Sequence, residues 1–280
     1  MPEVCEVALT AQGLNKALKG KILKKVEFTT GRYSGDRKKP EGYEEAIESL
    51  PMTVTKVDSK GKFMWFELEN DDEKLFIWNT FGLSGSWSFE KDTGVRAEFV
   101  FKDRKVYYYD QRNFGTFKFS SSKNELNKKL KTLAPDFLKE EVDISAIRNY
   151  NKPIVQLLMD QKKIGSGIGN YLAPEILYRA KLSPHRTGES LSKKDVKKLS
   201  YWIQYMTKLC YENNYIGYMD SIETDFLNMR RKNYHPDIDL DGEEFDFMVY
   251  QRSLDPKGNP VVRDSIVKDR GTYWVPNVQK

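Results

Sequence analysis

The stretch KPIVQLLMDQKKIGSGIGNYLAPEILYRA, residues 152–180, decides the fold of the second half of the chain. Apolar residues recur at helical spacing on both sides of a turn that contains Gly165, Gly167 and Gly169. Periodic apolar positions predict amphipathic helices, and clustered glycines predict a break between them. We therefore predict two helices joined by a glycine-rich turn within 152–181, and a further helix over 191–213.

The glycine-rich turn is a candidate anion-binding site. Glycines allow the backbone to approach a ligand closely, and a helix presents unpaired N–H groups at its start. A DNA phosphate fits such a turn, and the side chain of Asn170 can donate a hydrogen bond to it. A nucleotide-binding phosphate loop is the alternative, but the Lys-Ser/Thr pair of a P-loop is absent and a helix, not a strand, precedes the turn.

Upstream of this stretch the pattern changes from helix to strand. One amphipathic helix is predicted over 3–19, ending at Gly20. Short segments rich in β-branched and aromatic residues follow, over 21–27, 52–58, 63–69, 75–79, 84–89, 97–101, 105–109 and 116–119. So many short strands at this spacing predict an antiparallel β-sandwich or barrel.

These patterns together predict an α+β protein with several parts. We predict an N-terminal β-sandwich domain over 1–120, a polar, lysine-rich linker over 121–151 and a helical domain over 152–244. The helical domain includes a tyrosine- and charge-rich loop at about 214–243. Residues 245–280 are predicted to form two short strands around a turn at 255–259.

The composition favours a globular protein that works inside the cell. Hydrophobic residues make up 39% and charged residues 31% of the chain, and no apolar run approaches the roughly 20 residues that span a bilayer. The sequence MPEVCEVALT lacks the pattern of a signal peptide. With two cysteines and two histidines, the chain has no disulfide framework and almost no means of building a four-ligand zinc site. The net charge of +5 fits a nucleic-acid partner and solvated surface lysines equally well.

The dipeptide Pro2-Glu3 is the candidate for covalent chemistry. Removal of the initiator methionine would leave the secondary amine of Pro2 free. Such an amine is less basic than that of lysine, so part of it is unprotonated near neutral pH and can form an iminium with a sugar carbon. The neighbouring Glu3 can act as acid or base on the same centre. An ordinary helix start with proline in the first turn is the alternative, and the dipeptide alone favours it.

Further motifs follow in a characteristic order. They are Met1-Pro2-Glu3 with Glu6, Gly61-Lys62, FGLSG at 81–85, DQRNFG at 110–115, LAP at 133–135, LLMDQ at 157–161 and GIGNYLAPEIL at 167–177. Through them the chain resembles the formamidopyrimidine-DNA glycosylase/endonuclease VIII (Fpg/Nei) superfamily along its whole length, most strongly over 152–186. The resemblance implies an N-terminal helix and β-sandwich, a linker, and a helix–two-turns–helix domain that ends in a β-hairpin finger.

The resemblance also implies a bifunctional DNA glycosylase and AP lyase. Pro2 would attack the sugar C1′ and displace the base, while Glu3 handles protonation at the sugar ring. Elimination of the 3′-phosphate and then of the 5′-phosphate would follow. Lys62 matches the family's catalytic lysine, which contacts phosphate near the lesion, and Glu6 is a candidate for assisting protonation.

Three further residues match the group that fills the space left by an extruded base. They are Leu83, Arg112 and Phe114. Arginine can hydrogen-bond the orphaned base, and phenylalanine can wedge between its neighbours. Core packing is the alternative for Leu83 and Phe114, but the adjoining glycines favour exposed loop tips.

The last stretch departs from the pattern of the superfamily's zinc finger. Its four cysteine positions are empty, and Val275 stands where one cysteine would be expected. The stretch resembles the zincless finger of the vertebrate Nei-like glycosylase, in which strand pairing and packing replace the metal. Arg270 matches the finger arginine that binds phosphate together with Asn170 and Lys62. We therefore expect no metal and no other cofactor.

The finger also places the chain beside a branch that favours oxidised pyrimidines, formamidopyrimidines and hydantoins. Residues 214–243 do not match the loop that supports 8-oxoguanine recognition, so we expect 8-oxoguanine to be a poorer substrate. The expected partner is double-stranded DNA with oxidised bases or abasic sites, bound by a monomer in the nucleus or the cytoplasm and not at a membrane.

Two other functions remain open at this point. The first is a non-catalytic damaged-DNA-binding protein of the same fold, against which the intact Pro2, Glu3 and Lys62 argue. The second is an RNA- or nucleotide-binding module that uses the glycine-rich turn. Such a module would show no preference for lesions and would give the N-terminus no role.

Overall fold

A computed structural model describes residues 2–213, 238–240 and 242–280. The described residues form two compact units, the first made of Pro2 and residues 6–132. The second contains residues 3–5, 133–213 and the described residues from 238 onward. No helix in these ranges combines the length and the apolar content that crossing a bilayer requires.

Helix α1 spans Val4–Leu18, and the first unit contains this helix from Glu6 onward. It also contains an eight-stranded antiparallel sheet with the order β5-β7-β6-β1-β2-β3-β4-β8. The strands are β1 (Ile22–Phe28), β2 (Met52–Lys60), β3 (Phe63–Glu69), β4 (Lys74–Thr80), β5 (Gly85–Ser88), β6 (Val95–Phe101), β7 (Lys105–Asp110) and β8 (Thr116–Ser120). A short helix, α2 (Tyr43–Glu48), lies between β1 and β2. Every strand predicted within residues 1–120 is present, with ends that differ by two residues at most.

The sheet folds back on itself to enclose the core. Phe117, on the edge strand β8, packs against Trp87 on the opposite edge strand β5, with ring centroids 6.0 Å apart. It also meets the ring of Tyr108 on β7 at 4.9 Å. Because the two edges share one apolar interior, the single sheet has the two-layered form of the predicted sandwich. Apolar residues of α1 belong to the same core.

Residues 121–151 are more ordered than the predicted polar linker. They contain helix α3 (Lys123–Lys131), which Ser122 caps by accepting a hydrogen bond from the N–H of Glu125 at 3.2 Å. The Ser-x-x-Glu spacing of a helix start was present in the sequence. The sequence analysis did not predict this helix, because Leu126 is its one fully buried residue and little apolar periodicity was there to detect.

The second unit contains the predicted helices. They are α4 (Ile154–Met159), α5 (Leu172–Arg179) and α6 (Lys193–Asn213), and the glycine-rich turn lies between α4 and α5. The buried face of α5 begins at its first residue and includes Ala173 and Ile176. Most of the predicted loop at 214–243 lies outside the described residues.

The C-terminal hairpin is formed by β9 (Val262–Val267) and β10 (Arg270–Trp274). The prediction that the two strands flank the turn at 255–259 was wrong, since the strands of the hairpin flank Lys268-Asp269, where Asp269 has a φ of 59°. Residues 255–259 form a separate closed loop, in which the carboxylate of Asp255 accepts the N–H groups of Lys257 at 2.9 Å and Asn259 at 2.8 Å. A turn rich in Pro, Gly and Asn looks the same in sequence whether or not strands flank it.

Candidate active site and DNA-binding residues

The carboxylate of Glu3 is fixed at the start of α5. Glu3 is fully buried, and its Oε1 accepts the N–H of Tyr171 at 2.8 Å while its Oε2 accepts the N–H of Gly169. The N–H of Val4 donates to the carbonyl of Gly167 at 3.0 Å. A helix start offers unpaired N–H groups and a partial positive charge, both of which favour a carboxylate. Residues 3 and 4 are thus held by the glycine-rich turn.

The turn requires glycine at position 167. Gly167 has a φ of +118°, and a Cβ added there would lie 2.5 Å from the Cβ of Val4. The close approach that the glycines suggested is therefore an approach to the chain's own N-terminal segment. The expectation that the N–H groups of this turn face a phosphate was wrong for Gly169 and Tyr171, because Glu3 occupies them.

Asn170 lies between these two N–H donors in the sequence, and its side chain lies close to the hydroxyl of Tyr250. Burial raises the pKa of Tyr250, and the nearby amide of Asn170 partly offsets that rise. The ring of Tyr250 also meets that of Tyr273 on β10, with centroids 5.4 Å apart. Tyr250 therefore connects the candidate phosphate-binding Asn170 to the hairpin, a role that sequence reasoning missed.

The segment that carries Tyr250 is held by a buried carboxylate on α5. Glu175 is fully buried, and it accepts the N–H groups of Met248 at 3.0 Å, Val249 at 3.0 Å and Tyr250 at 2.7 Å. Burial raises the pKa of Glu175, while the three donors and the nearby Arg179 act in the opposite direction. This residue was also missed, since its partners lie more than 70 positions away in sequence.

Lys62 lies on the tight turn between β2 and β3. Lys60 pairs with Phe63, so Gly61 and Lys62 form a two-residue hairpin loop, and Gly61 has a φ of 55°. A loop of this length needs a positive φ, which glycine adopts without strain. Lys62 is half-buried, and Pro2 and Glu6 are buried in the same unit.

The candidate void-filling residues lie on loops of the first unit. Leu83 occupies a turn ahead of β5 and is half-buried. Arg112 and Phe114 lie on the loop between β7 and β8, where both are exposed and Phe114 has 57% of its surface accessible. Core packing, the alternative considered for Phe114, is therefore wrong.

Packing and hydrogen bonds hold the hairpin in the second unit. The carboxylate of Asp264 on β9 accepts the indole N–H of Trp274 at 2.7 Å and pairs with the imidazole of His185 at 2.8 Å. Val275 is fully buried in a small cluster with Tyr178 and Val249. Burial and the carboxylate of Asp255, to which its hydroxyl donates at 3.0 Å, raise the pKa of Tyr178 to about 12. Arg270, the first residue of β10, is exposed beside the turn.

The hairpin offers no donor set for zinc. The two cysteines of the chain, Cys5 and Cys210, are buried outside it, and one of the two histidines, His185, is engaged with Asp264. Within the described ranges no three His, Cys, Asp or Glu side chains converge on a possible metal position. The residues present therefore do not fit the metal that the superfamily's finger would hold.

Accordingly, we expect the purified protein to contain no stoichiometric zinc. Treatment with a chelator should leave both its activity and its thermal unfolding midpoint unchanged, because apolar packing and Asp264 already hold the hairpin. Elemental analysis of the protein, followed by an assay before and after dialysis against chelator, checks this. One tightly bound zinc per chain would contradict it.

Domain-level similarity agrees with this architecture. The formamidopyrimidine-DNA glycosylase N-terminal domain matches residues 1–117, its H2TH domain matches residues 131–216 and its C-terminal domain matches residues 236–280. The chain therefore belongs to the formamidopyrimidine-DNA glycosylase family of DNA glycosylases, within the Fpg/Nei superfamily.

Individual relatives cover the whole chain. The formamidopyrimidine-DNA glycosylase of Prochlorococcus marinus strain MIT 9301 is 30% identical, with 100% of each chain covered. That of Thermus thermophilus is 27% identical and covers 100% of this chain and 98% of the relative.

Two solved structures share the fold. The MutM (Fpg) protein of Thermus thermophilus superposes with a TM-score of 0.75 at 26% identity, covering 99% of this chain and 98% of that one. The Lactococcus lactis Fpg in complex with DNA that contains an abasic site superposes with a TM-score of 0.79 at 21% identity, covering 99% of each chain.

Proposed function

We propose that this protein is a bifunctional enzyme of base excision repair that removes an oxidised base and then cleaves the DNA at the abasic site. The observation that carries the proposal is the anchored N-terminal segment, in which the carboxylate of Glu3 is held by the N–H groups of Gly169 and Tyr171. The chemistry proposed for that segment, attack by the amine of Pro2, follows from the resemblance to the family.

The proposed reaction begins at the amine of Pro2. Its nitrogen bonds to the sugar C1′ as the bond to the damaged base breaks, and the departing base takes up a proton. The amine nitrogen then loses its own proton, and the C1′–O4′ bond breaks as O4′ takes up a proton from Glu3, which leaves an iminium between Pro2 and C1′. The iminium acidifies C2′, so loss of a proton there expels the 3′-phosphate, and a second elimination expels the 5′-phosphate. Glu3 serves as the proton donor and acceptor at the sugar, with Glu6 as its candidate assistant.

Three residues are proposed to hold the DNA backbone on either side of the reacting nucleotide. Asn170 and Arg270 belong to the second unit, and Lys62 belongs to the first. Amide, guanidinium and ammonium groups all donate hydrogen bonds to phosphate. Leu83, Arg112 and Phe114 are proposed to fill the space left by the extruded base, a role that their loop positions favour.

The proposed partner is double-stranded DNA with an oxidised base or an abasic site. The protein is proposed to act on it as a monomer, without a metal or other cofactor, in a compartment of the cell that contains DNA. The net charge of +5 is compatible with that partner.

Among lesions, we expect thymine glycol, dihydrouracil and hydantoins to be excised faster than 8-oxoguanine. The reason is the loop at 214–243, whose sequence does not match the loop that supports 8-oxoguanine recognition. Single-turnover excision rates on matched duplexes, with 8-oxoguanine paired with cytosine, check the order. Equal or faster release of 8-oxoguanine would contradict this ranking, but it would leave the proposed attack by Pro2 unaffected.

Borohydride trapping is the experiment that tests the proposed function. Reduction during turnover should convert the iminium into a stable covalent adduct between the protein and lesion-bearing DNA, and the cleaved product should carry phosphates at both ends. A damaged-DNA-binding protein of the same fold would bind the lesion duplex but give no adduct. An RNA- or nucleotide-binding module would show no preference for the lesion, and either result would refute the proposal.

A further inference from the structure

The two loops that carry the candidate void-filling residues share one hydrogen-bond network. We define them as the void-filling loops, residues 81–85 with Leu83 and residues 110–115 with Arg112 and Phe114. We propose that Ser84 and Asp110 are positioning residues that fasten these loops to each other, so that the three side chains enter DNA as one rigid wedge. The inference rests on the proposed function, since it assumes that the loops fill the space of an extruded base.

The network is centred on the buried carboxylate of Asp110, which is 2% exposed. Its Oδ1 accepts the hydroxyl of Ser84 at 2.5 Å, and its Oδ2 accepts the N–H of Gly115 at 2.6 Å. The hydroxyl oxygen of Ser84 in turn accepts the N–H of Arg112 at 3.0 Å. Each loop thus depends on a polar atom of the other. The hydrogen bonds of the network therefore involve Arg112 itself and the residues that directly follow Leu83 and Phe114.

Close contact between the backbones of the two loops supports the same conclusion. Gly82 has a φ of +63°, and a Cβ added there would lie 2.7 Å from the nitrogen of Gly115 and 2.7 Å from the carbonyl carbon of Phe114. The backbones of the two loops thus lie closer together than any residue other than glycine at position 82 would allow. Any side chain at position 82 would force them apart.

The phenol oxygen of Tyr108 on β7 lies close to the backbone of both loops. A Cβ added at Gly85 would lie 2.4 Å from its oxygen, and one added at Gly115 would lie 2.0 Å from it. Burial, with a smaller contribution from Asp110, raises the pKa of Tyr108, so the phenol remains uncharged. Arg96 on β6 anchors the second loop from the side, because its Nε donates to the carbonyl of Asp110 at 2.9 Å.

The physical consequence is preorganisation. Two independent loops would each lose conformational freedom when their side chains enter the helix, and that loss would weaken binding. Loops that are already fastened together lose less. The contributions of Leu83 and Phe114 to binding should therefore be coupled, because each side chain depends on the position that the other loop defines.

A double-mutant cycle measures this coupling. The ligand is a duplex with a tetrahydrofuran abasic-site analogue, which can be bound but not processed. With Ser84 intact, the combined change Leu83→Ala/Phe114→Ala should weaken binding by about fivefold less than the product of the two single losses, as expected for residues that act as a unit. In a Ser84→Ala background the two losses should simply multiply.

Matched variants separate positioning from general stability. Ser86→Ala, on the neighbouring strand, should leave the coupling intact, and Ser84→Thr should retain it because the hydroxyl is kept. Asp110→Asn should abolish it, and thermal unfolding of each variant shows whether it is folded. If Asp110→Asn does not fold, Ser84→Ala alone decides the question, since Ser84 is only half-buried.

The outcomes distinguish this inference from the proposed function. Coupling that is absent with Ser84 intact, or that persists in folded Ser84→Ala protein, would overturn the wedge while leaving the glycosylase proposal in place. Failure of the unsubstituted protein to prefer the abasic duplex over undamaged DNA would instead refute the proposed function.

Discussion

A protein blocked ahead of Pro2 is expected to lose base excision by a factor on the order of a thousand or more, as when a covalent nucleophile is removed from an enzyme. The block can be a short tag that no protease removes, so that the nitrogen of Pro2 becomes part of a tertiary amide. An amide nitrogen has no basic electron pair with which to attack C1′. Binding to a duplex with an abasic-site analogue should change far less. Single-turnover excision and borohydride trapping measure the chemistry, and a binding titration measures affinity.

The matched control carries the same tag with a protease site that leaves Pro2 as the first residue. Cleavage should restore both excision and trapping. Pro2→Gly, which keeps a terminal amine but not the pyrrolidine ring, should give far less adduct. Full activity in the blocked protein would show that the nucleophile lies elsewhere, and lysines such as Lys62 would become the candidates.

Glu175→Ala is expected to destabilise the protein by about 3 to 5 kcal/mol, the range for breaking a buried hydrogen-bond network. The substitution removes the acceptor of three backbone N–H groups, those of Met248, Val249 and Tyr250. Buried N–H groups without an acceptor are costly because they gave up hydrogen bonds to water on folding. Urea unfolding followed by tryptophan fluorescence measures the free energy of unfolding.

The control for this substitution is Glu244→Ala, which removes an exposed carboxylate from a nearby segment and should change the free energy of unfolding by less than about 0.5 kcal/mol. Glu175→Gln should fall between the two, since its carbonyl can still accept part of the network. Affinity for the abasic duplex should fall with Glu175→Gln as well, because Tyr250 supports Asn170. A stability of Glu175→Ala equal to that of Glu244→Ala would contradict the role assigned to the network.

Local patterns predicted most of the elements of this fold. Short segments rich in β-branched and aromatic residues identified all eight strands of the sheet, and helical periodicity identified α1 and α6. The failures arose where that signal is weak. Helix α3 carries a capping signal at Ser122 but little apolar content. The position of the C-terminal hairpin depends on which loop the strands flank, and turn residues alone do not define that.

The candidate site could be proposed from the sequence because it consists of side chains with recognisable chemistry, such as Pro2, Glu3 and Lys62. Their surroundings were not predictable, because they arise from contacts between distant parts of the chain. The carboxylate of Glu3 meets N–H groups 166 and 168 positions away, and Asp110 meets Ser84 across 26 positions. Backbone N–H groups supply many of these partners. Because every residue except proline carries one, the sequence does not indicate which of them a side chain will contact.

Residues 3–5 belong to the same compact unit as residues 133–213. That unit is therefore discontinuous in sequence. It consists of three residues near the start of the chain and of segments that begin more than a hundred positions later. A fragment that begins after Thr132 would lack the carboxylate that accepts the N–H groups of Gly169 and Tyr171. Attempts to express the two halves separately, or to exchange them between homologues, would have to supply a Glu-Val-Cys peptide along with the later half.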